Sequence, residues 1–293
     1  MRQCFSIGLF ALLVLSLPGC GGFCDTKTQM PGNLDTLCMP DYASGFEMYR
    51  YDSSTLLRIV NPWQGADSVS QWVFLSRDDE KPPKGFAGET IDVPVRRIVC
   101  MSSSYVAFLE ALGADSTICA ISGTGYIWSD KVRNRIAGGE IAEAGFDNSL
   151  NFEKLVALKP DVVFLYGLTG KNAVTDKLHE LGLKTVYIGD YVENNPLGRA
   201  EWITVFGEFT GRRELASTLF DSISNEYNRA KALVSGVEKR PEVMLNAPWQ
   251  DSWFVPGDRS YMVRLLEDAG GNYACRGVDS DQSRPISTET AFV

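Results

Sequence analysis

The chain has 293 residues, enough for two ordinary domains, and its 44% hydrophobic and 22% charged residues are those of a globular protein. A net charge of −9 with no basic stripe argues against a nucleic-acid surface, which needs clustered Lys and Arg against phosphate. A single histidine, His179, excludes a multi-histidine metal site and leaves a Ser-His-Asp triad only one candidate base.

The N-terminus carries the first signal. Arg2 precedes an apolar run, Phe5–Leu17, too short to span a bilayer comfortably but right for the core of a signal peptide. Leu17-Pro18-Gly19-Cys20 then resembles the lipobox of bacterial lipoproteins, in which the cysteine is lipidated and becomes the new N-terminus. Ordinary secretion with cleavage nearby is the alternative, and either route exports the mature chain. Residues 1–19 therefore read as leader and 20–40 as a tether between lipid and folded body. Cys24 and Cys38 flank a stretch containing Pro and Gly and are candidates to pair in an oxidising compartment. Cys100 and Cys119 sit in apolar strand-like segments and read as small buried hydrophobes. No CxxC occurs, so neither a thioredoxin-type site nor a compact zinc site is indicated.

Residues 41–94 form a β-rich extension and linker. FEMYRY, TLLRIVNPW and SVSQWVFLSR are short β-type runs separated by DSS and QGAD turns, and they predict a small antiparallel sheet. Its aromatics, among them Trp63 and Trp72, suit a sheet core better than a binding face. The stretch from Arg77 to Glu89 reads as a polar, Pro-rich connector.

From Val93 the pattern becomes α/β. Arg97–Met101 is a strand; Ser102, Ser103 and Ser104 form a turn whose hydroxyls can cap a helix over Tyr105–Leu112. Thr117–Ser122 is the second strand, and GTGYIWS after it is a Gly-rich loop without GxGxxG spacing and with no clear helix following. NFEKLVALKPDVVFLYG then reads as helix, stop and buried parallel strand, with Asn151 as N-cap and Pro160 biasing Lys159 toward an extended conformation. A further helix, Asp176–Leu181, and strand, Thr185–Ile188, complete a first lobe over residues 95–195. Residues 196–238 carry apolar positions at helical spacing with one break near Thr210-Gly211, as suits a long helix joining two lobes. Residues 239–293 resume strand-type sequence and end at ISTETAFV, which reads as the start of a capped helix in an incomplete second lobe. The fold class expected is α/β.

Several of these pieces together resemble the substrate-binding proteins of ABC importers for iron-siderophores, haem and vitamin B12. They are Arg97-Ile98-Val99 before the serine turn, Ala111-Leu112-Gly113, Asn151-Phe152-Glu153 with Lys159-Pro160-Asp161, Leu178 with Leu181-Gly182, Thr210-Gly211-Arg212 and Ile286-Ser287-Thr288-Glu289. They cover about two-thirds of the chain, residues 95–293; the β-rich extension has no counterpart in the family core. The resemblance implies two α/β lobes on a long connecting helix, ligand in the cleft between them, and no catalysis. It also implies that Glu153 and Glu289 dock onto an ABC permease in the inner membrane, although each equally suits the dipole of a first helical turn. Loops at the carboxyl ends of the strands should line the cleft, nominating Ser103, Ser104, Tyr105, Tyr126, Trp128 and Tyr166 with Tyr191 and Phe146, and Trp249, Trp253 and Phe254 from the second lobe. About half of these aromatics should instead be core or loop packing. Arg284 is a candidate partner for an anionic ligand. The implied cargo is a ferric siderophore first, cobalamin next and haem third, with no resident cofactor. The implied location is the periplasm or cell envelope, through lipid on Cys20. A surface adhesin using Trp63 and Trp72 on an exposed patch is the rival reading.

Overall fold

The structure, a computed structural model, describes residues 35–146, 149–167, 173–248 and 252–287. The leader, Cys20, Cys24, Trp249 and Glu289 lie outside the described residues.

The chain first builds a five-stranded sheet from β1 (Asp35–Cys38), β2 (Phe46–Tyr51), β3 (Ser54–Val60), β4 (Ser70–Ser76) and β5 (Glu89–Asp92), in that spatial order. The first four strands pair antiparallel and β5 lies parallel to β4. Strict alternation sends Phe46, Met48, Leu57, Ile59, Val73 and Leu75 into the core. Two strands correct the sequence reading. β1 lies inside the expected tether, and β5 extends the sheet beyond the expected connector. Both are four residues long at a sheet edge, and β5 buries only Ile91, so neither carries a hydrophobic pattern strong enough to read.

The second sheet is wholly parallel and comprises β6 (Ile98–Cys100), β7 (Ile118–Ile121), β8 (Ala142–Glu143), β9 (Val162–Leu165) and β10 (Thr185–Tyr187) in the order β10-β9-β6-β7-β8. Helices α1 (Ser103–Ala111), α2 (Asp130–Ala137), α3 (Phe152–Leu158) and α4 (Ala173–Glu180) connect them. This is the doubly wound order, with its switch point between β6 and β9. Ser102, Ser129 and Asn151 each cap a helix by accepting a backbone N–H. The helix α2 after the Gly-rich loop was not expected, because its apolar content is low and only Val132 is buried. Lys159 is also a correction: it ends α3 in the left-handed region, φ 46°, rather than extended. Asp161 makes the bend worthwhile, since its carboxylate accepts the backbone N–H groups of Arg96 at 2.6 Å and Arg97 at 2.9 Å and so ties the helix end to β6.

The expected connecting helix with its break near Thr210-Gly211 is three helices, one break more than expected: α5 (Pro196–Glu201), α6 (Ile203–Thr210) and α7 (Arg213–Val234). Trp202, fully buried, marks the first break; Gly211 at φ 68° makes the second, a conformation that glycine adopts without penalty. Nearly all of α6 is buried, whereas the 22 residues of α7 bury only Ala216 and Phe220, so α7 alone leads outward. It reaches β11 (Glu242–Val243), β12 (Trp253–Val255), α8 (Tyr261–Asp268), β13 (Asn272–Tyr273) and β14 (Arg284–Ile286). These form two two-stranded sheets, β11-β13 and β12-β14. Ile286 closes β14, and the capped helix expected after Ser287 lies outside the described residues.

One continuous core joins the N-terminal sheet to α1, α6 and one face of the parallel sheet; a second core on the other face gathers Val99, Val163, Leu155 and Leu178. Buried carboxylates hold the junction. Glu201 accepts the N–H groups of Asp41, Tyr42 and Ala43, and Glu193 those of Ser44 and Gly45 together with the Trp202 indole. Glu208 binds Thr55, Arg77 and Arg213, the last two from β-rich linker and α7. Burial works against its ionised form, but Arg213, Thr55 and Arg77 hold its carboxyl below the usual range. Finally the Gln71 carboxamide donates to Thr185 O at 2.9 Å and accepts from Tyr187 N at 2.9 Å, so a side chain takes a strand's place along the edge of β10.

Candidate functional site

The carboxyl ends of the parallel strands share one edge, where ligands of open α/β sheets bind. After β6 come Ser102, Ser103 and Ser104. Ser103 is exposed, and the Ser104 hydroxyl, 3.0 Å from that of Ser102, helps to favour the ionised form of Asp190 in the loop after β10. Asp190 is buried, and that burial outweighs Ser104 and the neighbouring Arg199 to push its carboxyl up to about 6. After β7 the Glu143 carboxylate accepts from Gly123 N, Thr124 N, Thr124 Oγ1 and Gly145 N at 2.6–3.0 Å. Burial opposes its ionisation, but these donors prevail and hold it below the usual range. Glu143 thus fixes the Gly-rich loop, Gly123 at φ 74°, and turns its aromatics outward: Trp128 is 91% exposed, Tyr126 68% and nearby Phe146 50%. After β9, Tyr166 is half-buried against both cores.

Tyr105 is corrected outright. It is fully buried, its hydroxyl donates to Leu165 O and Ile188 O at 3.2 Å, and its ring packs with Phe164 and Phe206. It builds the core beneath the edge and does not form a cleft wall. Trp253 is half-buried in β12 with its indole donating to Leu245 O, and Phe254 beside it is 51% exposed. Glu153 is an exposed carboxylate in the first turn of α3. Arg284 is half-buried in β14, and its Nε is buried without a hydrogen-bond partner.

A cleft of about 540 Å³ opens where the edge faces the C-terminal segment. Its first wall is Tyr191, Val192, Asn194 and Arg199; its second is Asn246, Pro256, Ser260, Tyr261, Met262 and Asp281–Ser283, with Gln64 from the N-terminal sheet at the rim. Arg199 anchors to the carbonyls of Tyr191 and Glu193 and stacks across the cleft, its guanidinium 4.0 Å from the Tyr261 ring centre. Among the described residues, Tyr191 is the one nominated residue in this lining. Ser103, Ser104, Tyr126, Trp128, Tyr166 and Trp253 stand outside it. Reasoning from aromatics missed Gln64, Arg199, Ser260 and Gln282, because the lining is mainly amide, hydroxyl and charge, and it passed over Tyr261, which lies inside a helix and not in a loop. The one legible signal was Ser260 before a helical run, the cap of α8.

Trp63 and Trp72 are each half-buried. Trp63 packs edge-on to Tyr187 at 5.3 Å, and Trp72 lies under Arg58 beside Tyr49. Among the described residues no helix is long and apolar enough to cross a membrane.

The family model described as "Periplasmic binding protein" matches residues 98–292. An uncharacterised lipoprotein of Methanocaldococcus jannaschii is 26% identical over 99% of this chain and 77% of its own length. Among solved structures, the periplasmic heme binding protein HutB of Vibrio cholerae superposes with a TM-score of 0.55 at 20% identity, covering 66% of this chain and 71% of that one. A periplasmic binding protein of Veillonella parvula gives 0.58 at 14% identity, over 78% of this chain and 72% of its own.

Proposed function

Because this chain belongs to the periplasmic binding protein family, we propose that it is the substrate-binding lipoprotein of an ABC importer, carrying an iron chelate or a corrinoid to an inner-membrane permease. The observation that carries the reading is the 540 Å³ cleft at the carboxyl edge of the doubly wound sheet, walled on its far side by the segment beyond α7. Its volume suits a compact chelate, and Arg199, Ser260, Asn246 and Gln282 offer a polar periphery several hydrogen-bonding partners. That chemistry favours a ferric siderophore over cobalamin, and cobalamin over haem. Ser103, Ser104, Tyr126, Trp128, Tyr166, Trp249 and Trp253 are the further contacts assigned to a cargo larger than the cleft, the exposed Tyr126 and Trp128 supplying flat faces to stack on. Glu153 and Glu289 are the carboxylates assigned to the permease, and Cys20 the residue assigned to the lipid. A lipoprotein relative and the lipobox-like leader support that anchor and an envelope location.

The test is a tryptophan-fluorescence titration of the exported chain with a ferric siderophore, cyanocobalamin and haemin in parallel. Saturable quenching by one of the three, lost in Arg199→Ala, is expected. Flat traces with all three overturn the reading.

A further inference from the structure

The N-terminal sheet does more than cover the lobe. Its β3–β4 loop, residues 61–69, is closed at the base by Asn61, whose N–H donates to Val69 O and whose side chain accepts from Val69 N. A turn from Trp63 O to Ala66 N stiffens the tip. Three consecutive residues then dock on the carboxyl edge of the parallel sheet. Pro62 meets Gly189, where an added Cβ would stand 3.3 Å from its Cα. Trp63 bridges Gly167, where an added Cβ would lie 2.9 Å from the indole. The Gln64 N–H donates to the Tyr191 hydroxyl at 3.3 Å, and that hydroxyl in turn donates to Gly167 O. Gly167 follows β9 and Tyr191 follows β10, so the loop stands on the carboxyl edge, one strand over from the switch point where doubly wound sheets bind their ligands. A foreign loop held this rigidly at such an edge is pre-organised to bind.

We infer that this loop is a built-in wall of the ligand cleft and that Gln64, whose side chain is exposed on the cleft rim, is a specificity-determining residue for the cargo. The inference rests on the cleft reading above. Its chemistry is amide recognition: Gln64 offers one acceptor and two donors to a chelate periphery of carbonyls, hydroxyls or amides.

The experiment measures Kd for the full chain, Gln64→Ala and Arg199→Ala against a ferric tris-catecholate, a ferric tris-hydroxamate, cyanocobalamin and haemin, with a thermal melt of each protein. For the chelate that binds the wild type, Gln64→Ala is expected to weaken Kd roughly tenfold without moving the melt. The loss should be largest for the chelate richest in peripheral amides. An unchanged Kd in Gln64→Ala, with Arg199→Ala weakened, overturns this inference and leaves the transport reading standing. Four chelates that all fail to bind the wild type overturn both.

Discussion

The α/β lobe is flanked on two sides, and the flanks are attached in opposite ways. The N-terminal sheet is fastened by buried groups: Glu193, Glu201 and Glu208 each satisfied by several donors, Gln71 laid along β10, and a shared hydrophobic core. The C-terminal segment hangs from α7, whose outer half is solvated, with Ile223 and Leu233 exposed. Among the described residues its polar and ring ties include Tyr227 and Lys231 to Asp268 and the stack of Arg199 on Tyr261. Burial makes the difference. A satisfied buried carboxylate is expensive to disturb, while a half-exposed ion pair or ring contact costs little to part. One flank is therefore part of the lobe, and the other is a wall more lightly tied to it.

Three substitutions would break or sharpen that contrast. The largest effect is expected from Glu208→Ala, which strands Arg77, Arg213 and Thr55 at the junction. It should cost about 3 kcal/mol or more in urea unfolding, and a loss under 1 kcal/mol would mean that the sheet is not fastened there. Glu208, held below the usual range, adds stability that is present at neutral pH and lost on acidification.

Asp190 runs the other way. Its carboxyl is raised from 3.8 to about 6, so its contribution is fully present below pH 4 and is lost as pH rises through 6. On the order of 3 kcal/mol should disappear across that window. In Asp190→Asn the same stretch of the stability–pH curve should be flat; an unaltered curve would show that the carboxyl is not buried beneath the edge as described. The smallest effect belongs to Tyr261→Ala. Removing the ring from Arg199 should cost only about 1 kcal/mol, while raising hydrogen exchange in α8 and leaving β2–β4 untouched. Equal exchange in both regions would erase the contrast.

Strong periodicity was readable. FEMYRY is β2 residue for residue, and the helix–stop–strand from Asn151 emerges as α3 and β9. What stayed hidden depends on partners distant in sequence. No local pattern shows that Gln71 will bind β10, that Glu201 will collect N–H groups about 160 positions away, or that Trp202 will be buried deeply enough to divide a helix. The site was hidden for a related reason. Tyr105 and Tyr126 look alike in sequence, yet one packs beneath the edge and the other is lifted out of it by Glu143, a residue with no motif of its own.

Gln71 also bears on how the chain behaves among its neighbours. The rim strand of a parallel sheet is an open template for another polypeptide, the usual starting point of aggregation. Here the amide of Gln71 occupies the Thr185 carbonyl and the Tyr187 amide that an intruding strand would seek. At the opposite rim β8 is two residues long, and Gly145 at φ 87° turns the chain away directly after Ala144. The parallel sheet thus ends on both sides without offering a ladder to a neighbouring chain.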